Sequence, residues 1–334
     1  MPFTVIPMIR KALCDFYVAS CTETGGAYRF RLYDDGSIEE SQKIPMPDPM
    51  FLQLDGDVLW ATLLHPFKDS IESGFAAYDT GSGNRITEII STKGEVSCHI
   101  AASRSDVYCA NYIGGSVFAS SGRLSAHCGQ GVDPDRQKSP HPHSVLFSPD
   151  ERFLLSCDLG LDTIFVYDRK LQEVSRSCVP CGSGVRHAVF SGDGKYVYCI
   201  NEMGGSISVF SWEAPCLTYI NTVSILKSEQ QEAAAGAAIK ISKDGQYLYA
   251  TERTTRTVVT LKAKGAHIVP IAYTDCAGTE PRDFTLLADD RFAVCTNQFS
   301  NNLSLFQIDA DRTPRFLSRV ELPAPLCAIE IAVP

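Results

Sequence analysis

The chain has 334 residues, of which 44% are hydrophobic and 21% charged, with a formal net charge of −9. That much apolar material supports a buried core and excludes a disordered chain. The acidic balance argues against nucleic acid and anionic membrane as partners, although a local Arg/His cluster can still receive a small anion.

No run of about 20 apolar residues occurs, and the stretch MPFTVIPMIRKALCDFYVAS has no long apolar region followed by a small-residue cleavage site. The expected address is the cytoplasm. Thirteen cysteines, an odd number, are scattered, several inside predicted strands (Cys109, Cys157, Cys199, Cys295). This pattern fits reduced thiols better than a disulfide framework. Cys178-Val-Pro-Cys181 is a lone CxxC without a second pair, which favours two packing or loop cysteines over zinc or redox chemistry.

In chain order, Cys14–Ser20 and Ala27–Tyr33 read as two strands, followed by the turn Asp34-Asp35-Gly36. A second unit begins near Pro49 (PMFLQLDGDVLWATLL) and ends with GFAAYDTGSG. A third begins near Val96 (VSCHIAASRSDVYCANYIGGSVFAS). The fourth opens with a polar loop carrying Arg136, Gln137, His141 and His143. Apolar runs follow at Val145–Phe147, Phe153–Ser156 and Thr163–Tyr167, separated by the Pro149-Asp150 turn and a polar break at Asp158. The fifth unit is RHAVFSGDGKYVYCINEMGGSISVFSW, the sixth GAAIKISKDGQYLYATERTTRTVVTLKA and the seventh PRDFTLLADDRFAVCTNQFSNNLSLFQID. A last strand, Cys327–Val333, has no partner after it. The period of about 45 residues, with about four strands per copy, is that of a β-propeller.

The orphan last strand completes the short first unit, so the ring closes with N- and C-terminal strands in one blade and leaves no sheet edge. The expectation is an all-β, seven-bladed propeller of four-stranded antiparallel blades forming one domain over residues 1–334. Only Ser228–Ala238 has helical composition, in a connection between blades. Gly114-Gly115 and Gly204-Gly205 read as hairpin turns.

Two positions recur when the units are aligned on Asp150, Asp193, Asp244 and Asp289. Seven residues earlier stand His143, Arg186, Ala237 and Arg282, at the entry to the innermost strand. After the second strand stand Asp158-Leu159, Asn201-Glu202, Glu252-Arg253 and Asn297-Gln298, with Asn111-Tyr112 shifted by one. Asp158, Asn201 and Asn297 suit a role locking backbone between blades. His143, Arg186, Glu202 and Arg282 instead make an anion pocket with a possible acid/base. His99 and His187 read as structural.

The motifs GQGVDPDRQKSPHPHSVLFSPD, GSGVRHAVFSGDGKYVYCINEMGGSISVF and CANYIGGSV resemble the seven-bladed propeller lactonase family. That family includes a cycloisomerase-type 6-phosphogluconolactonase of bacteria and the fungal carboxy-muconate lactonizing enzyme. The resemblance spans nearly the whole chain and is strongest from Asn111 to Phe210, at ATERT and at EPRDF. It implies catalysis by His143, Arg186, Glu202 and one later arginine, Arg253 or Arg282. Arg136, His141, Asn111, Tyr112 and Gln298, with whichever of these two arginines is not catalytic, are expected to bind substrate. The chain departs from the family at Val185, where Pro is common, at Ser191-Gly192, which replaces His-Pro, and in its irregular second blade, with His65-Pro66 in an insertion.

The implied chemistry is metal-free hydrolysis of a small anionic lactone by a monomer or weak homodimer. One acid/base activates water, one arginine steadies the oxyanion, and another holds a phosphate or carboxylate. No cofactor is expected: no zinc motif occurs, and His141 with His143 lack a third ligand at a sensible spacing. The substrate alternatives are 6-phosphogluconolactone and another acidic, muconolactone-like lactone, hydrolysed or cycloisomerised. A non-catalytic binding propeller is the third reading, but it would be expected to carry a WD dipeptide per blade, which is absent.

Overall fold

The computed structural model describes residues 10–103, 106–227 and 234–331. Seven four-stranded antiparallel sheets stand around a central channel. The strands nearest the channel are Pro325–Ile331 in the first blade, Pro49–Asp55 in the second and Ser97–Ala102 in the third. Pro142–Phe147, Val185–Phe190, Gly236–Ile241 and Pro281–Leu287 follow in the fourth to seventh blades. Each contacts the innermost strands on either side of it around the ring. In the first blade the C-terminal strand pairs with Ala12–Ser20, so the chain ends close the ring within one sheet.

The core lies between blades. Tyr198, Ile200 and Val209 of the fifth blade pack on Leu248, Ala250 and Val259 of the sixth. Phe16, Val18 and Phe30 of the first pack on Val294, Leu303 and Leu305 of the seventh. Middle strands are covered on both faces, and so Val107–Asn111 and Phe292–Asn297 are buried throughout. Outer strands such as Glu173–Cys178 keep exposed positions. The turn aspartates of the fourth, fifth and sixth blades do one job. Asp150, Asp193 and Asp244 each accept from the serine two residues earlier and from the backbone N–H two residues later.

Two expectations change. Gly236, Ala237 and Ala238 belong to the innermost strand of the sixth blade rather than to a helix. Small, fully buried side chains suit the crowded channel wall, and this tertiary demand overrides alanine's helical preference. Residues 228–233 of that stretch, and residues 332–334 of the last strand, lie outside the described residues. Asp158 is the final residue of its strand rather than a break after it. In the second blade the outermost strand shrinks to Ile90–Ser91.

Asn111 and Asn297 end their middle strands and bind linker backbone, donating to Thr92 O at 3.1 Å and Cys276 O at 3.3 Å. The linker glycines make room for them. A Cβ at Gly94 or Gly278 would lie 2.3 Å or 2.4 Å from the asparagine side chain. Gly278→Ala is therefore expected to cost about 1–3 kcal/mol, read as a lower midpoint in chemical denaturation.

Candidate active site

Every innermost strand carries one extra residue at its entry. Register slips between Pro49 and Phe51, Ser97 and His99, Pro142 and Ser144, and Val185 and His187. It slips again between Gly236 and Ile239, and between Pro281 and Asp283. In the first blade Leu326 is passed over opposite Ala19 and Ser20. A bulge re-aims the side chain it carries. The bulged residues are Met50, Cys98, His143, Arg186, Ala237 (with Ala238), Arg282 and Leu326. All but the alanines line one cavity at the channel mouth, together with Phe51, His187 and Asp283.

A second ring sits beside the first. The residues after the middle strands are Cys21, Leu64, Tyr112, Leu159, Glu202, Arg253 and Gln298. Each donates its backbone N–H to the carbonyl two residues before the bulge: Ala324, Asp48, Val96, His141, Gly184, Ala235 and Glu280. The same bond in all seven blades holds the two rings in a fixed relation.

Glu202 is the hub. It is 3% exposed. Its Oε1 meets Arg253 Nη2 at 3.0 Å and also accepts from Arg136. Its Oε2 meets Arg186 Nε at 3.1 Å and lies 4.0 Å from His143 Nε2. Arg186 also donates through Nη1 to Ala237 O at 2.6 Å and faces His187 Nε2 at 3.3 Å. Arg253 is committed further, to Glu280 Oε1 at 2.8 Å and Ala235 O at 3.2 Å. Arg282 meets Glu280 Oε1 only at 3.6 Å.

Burial pushes the Glu202 carboxyl up, but Arg253 and Arg186, helped by Arg136, outweigh it and hold the group well below the usual carboxylate range. Burial and the neighbouring Arg282 lower Arg186 to about 9, which leaves it charged at neutral pH. Burial, and then Arg186, pushes His143 well below its ordinary value against the pull of Glu202. His187 moves the same way, for burial and Arg186, and burial with Lys240 takes His99 to about 3. The three imidazoles are neutral at pH 7. His143 and His187 lie 5.3 Å apart, and His187 and His99 5.0 Å.

The structure brings together His143, Arg186, Glu202, Arg253, Arg282, Arg136 and Tyr112, whose hydroxyl lies 3.4 Å from Arg136 Nη2. His141 stacks on Tyr112 at 4.5 Å and bonds its carbonyl through Nδ1. Asn111 is spent on Ser97, Thr92 and Ser116. Gln298 is joined to the site by its backbone bond to Glu280. His99 and His187 belong to the channel wall under His143, with Phe51 stacked on His99 at 4.0 Å.

Three residues escaped sequence reading. Glu280 bridges Arg253 and Arg282; the signal was its place two residues before Arg282, where His141 precedes His143. Cys98 occupies the bulge of the third blade and donates its thiol to His143 O at 3.2 Å. It was missed because only four units were aligned on their turns. His127 lies between Asp158 Oδ2 and Tyr167 OH, at 2.5 Å from each. Asp158 Oδ1 in turn accepts from His141 N at 2.8 Å, which pins the loop carrying Arg136. Among the described residues no cluster of three or more His, Cys, Asp or Glu could hold a metal ion.

The family described as "Lactonase, 7-bladed beta-propeller" matches residues 15–329. The chain belongs to this family, and it is an enzyme of lactonase type. It is 26% identical to a 6-phosphogluconolactonase of Bacillus subtilis, over 93% of this chain and 96% of that protein. It is 33% identical to an uncharacterised protein of Lactococcus lactis, over 77% of this chain and 81% of that one. Among solved structures, a periplasmic gluconolactonase of Pseudomonas aeruginosa superposes with a TM-score of 0.84 at 26% identity, covering 96% of this chain and 99% of that one.

Two outcomes test this electrostatic picture. Glu202→Gln leaves the guanidiniums with Glu280 alone, and breaking a buried pair in this way should cost about 3–5 kcal/mol, measured by thermal or chemical unfolding. Acid should also weaken the fold. A histidine whose folded pKa lies below its unfolded value near 6.5 lends full stability above that pH and loses it as pH falls. His99, His143 and His187 should each remove about 1.4 kcal/mol per pH unit below that point, so unfolding midpoints should drop steeply between pH 7 and 5. A flat profile there would contradict three buried neutral imidazoles.

Proposed function

We propose that this lactonase opens the ring of a phosphorylated sugar lactone, 6-phosphogluconolactone, to the free acid. The observation that carries the reading is neutral His143 set 4.0 Å from a carboxylate that three arginines already occupy. Glu202, held strongly ionised, is a poor proton acceptor. Its negative charge instead supports the imidazolium that forms when His143 takes a proton.

The cavity lined by His143, Arg186 and Arg282 is about 20 Å³, room for a water and too small for a lactone ring. The ring therefore sits above it, in the mouth, with a water beneath. His143 Nε2 accepts the water proton as the oxygen attacks the lactone carbonyl. Arg186 Nη2, which has no protein acceptor among the described residues, faces the developing oxyanion. When the carbonyl re-forms, the ring C–O bond breaks and the imidazolium returns its proton to the departing alkoxide.

A second reading has its own support. Met50, Phe51, Cys98 and Leu326 give one side of the cavity an apolar lining, which suits a carboxylated, muconolactone-like ring with few hydroxyls.

The test is the rate of 6-phosphogluconolactone hydrolysis above the spontaneous background, beside a muconolactone. His143→Gln, which keeps polarity and approximate size, should lower kcat by about 10²–10⁴-fold with a smaller change in KM. A well-folded wild type without acceleration on the phosphorylated sugar lactone would remove that substrate. Full activity of His143→Gln would remove this base.

A further inference from the structure

Cys98 and His143 are neighbours in the bulge ring, carried by the innermost strands of the third and fourth blades. Cys98 is 8% exposed and lines the cavity beside His143. Proton transfer through His143 makes no direct use of it. Its sulfur lies 3.2 Å from His143 O and 3.7 Å from His143 Nδ1, with Pro142 O further off at 3.9 Å. Burial pushes the thiol up to about 12, so it keeps its proton at neutral pH.

These contacts bear on which ring nitrogen of His143 holds the proton. A neutral imidazole carries one ring proton, and the bond made by one nitrogen decides the state of the other. Taking a proton from water needs the lone pair on Nε2, so the proton already present has to sit on Nδ1. Two influences pull it the other way. A free imidazole prefers its proton on Nε2, and Glu202 Oε2 stands 4.0 Å from that nitrogen. Against them, Nδ1 makes one polar contact among the described residues, with the Cys98 sulfur. Other sides of the ring face the aromatic groups of Tyr112 at 5.2 Å and His187 at 5.3 Å. A thiol has a single proton, and the shorter contact of this one is with the carbonyl. Once S–H donates to His143 O, the sulfur has only lone pairs left for Nδ1 and acts there as an acceptor.

We propose that Cys98 is a positioning residue for the lactonase reaction, its sulfur accepting from Nδ1–H of His143 so that Nε2 is left bare to take the proton of the attacking water. The proposal rests on the reading of His143 as the base, but the tautomer is a property of the free protein. Cys98 stays a thiol throughout, and no bond to sulfur forms or breaks. Nε2 alone gains the proton and returns it to the departing alkoxide, while Nδ1–H stays on the sulfur in both states. Serine at this place offers the same donor and acceptor on a shorter arm, and alanine offers neither.

The experiment uses the full chain, isotope-labelled at its histidine nitrogens, because protonated and bare ring nitrogens have widely separated resonances. The signals of His143 are identified by their loss in His143→Gln. Wild type should show a bare Nε2 and a protonated Nδ1. Cys98→Ala should move the proton wholly or partly to Nε2, and Cys98→Ser should hold it on Nδ1. With 6-phosphogluconolactone, Cys98→Ala should lower kcat about 3- to 10-fold, the scale of one hydrogen bond, with KM close to that of wild type. Cys98→Ser should recover most of that loss. Adding Cys98→Ala to His143→Gln should cost no further rate, since the thiol acts only through His143.

A wild-type His143 protonated on Nε2 overturns the proposal, and that result depends on no substitution at Cys98. So does a folded Cys98→Ala with tautomer and kcat unchanged, or a loss of rate that adds in full to that of His143→Gln. The expected tautomer and its loss in Cys98→Ala, in a protein that opens no lactone, would support the contact and remove the lactonase reading. Hydrolysis by a wild type with Nε2 protonated would do the reverse.

Discussion

The single extra residue at the entry of each innermost strand is the constraint on which the site depends. Without it the side chain at that place would follow the pleat, alternating between channel wall and blade interior. With it, the bulged residue leaves the ladder, and in every blade but the sixth it lines the mouth. The backbone around it is held by the same N–H to carbonyl bond in every blade, and that bond makes no demand on the side chain. Met50, Cys98, His143, Arg186, Arg282 and Leu326 share a backbone role and have nothing chemical in common. A propeller can thus keep its scaffold and rewrite its chemistry at these points. Glu280 pays for its part locally: its φ of 60° is left-handed, and the carbonyl that accepts from Gln298 is its own.

The charged groups obey a different logic. Ionised groups taken out of water are unfavourable unless each finds partners. Glu202 is buried with guanidiniums on both oxygens, and Arg186 and Arg253 each find a backbone carbonyl as well. This network fixes positions, and it also fixes protonation states. A carboxylate so strongly stabilised as an anion is removed from proton transfer, while the imidazole beside it is kept neutral and available. His187 adds to this by presenting an acceptor nitrogen to Arg186, which always donates, so the imidazole tautomer under the site follows from its neighbour.

Much of this was legible in the sequence because it repeats. Apolar runs, turn aspartates and the orphan strand fix blade number and closure, and equal offsets from the turns point to His143, Arg186, Glu202, Arg253 and Arg282. What repetition cannot express was lost. Asn111 precedes Tyr112 as Asn201 precedes Glu202, and like Asn297 it spends its side chain within the scaffold, on Ser97, Thr92 and Ser116; the family motif around it does not reveal which way a side chain faces. His127 falls outside the repeated offsets, and its contacts with Asp158 and Tyr167 depend on packing across two blades. The alanine run near Ala237 has the local composition of a helix, and only the need for small residues on the channel wall makes it a strand. The unequal contacts of Arg253 and Arg282 depend on Glu280 and a backbone carbonyl, neither of which the motif itself shows.

The order of residues around the bulge ring gives the pocket a direction. Blades four to seven supply His143, Arg186, Ala237 and Arg282, whereas blades one to three supply Leu326, Met50 and Cys98. Apart from Ala237 the first arc is polar, and the apolar arc faces it. Ala237, the smallest member, sits between the two arginines, and its carbonyl is the acceptor that draws Arg186 toward Glu202. Arg186 is bound into the scaffold there, whereas Arg282 makes the looser 3.6 Å approach to Glu280. The floor of the mouth is thereby divided, with Arg186 and Arg282 on one side and Met50 and Leu326 on the other.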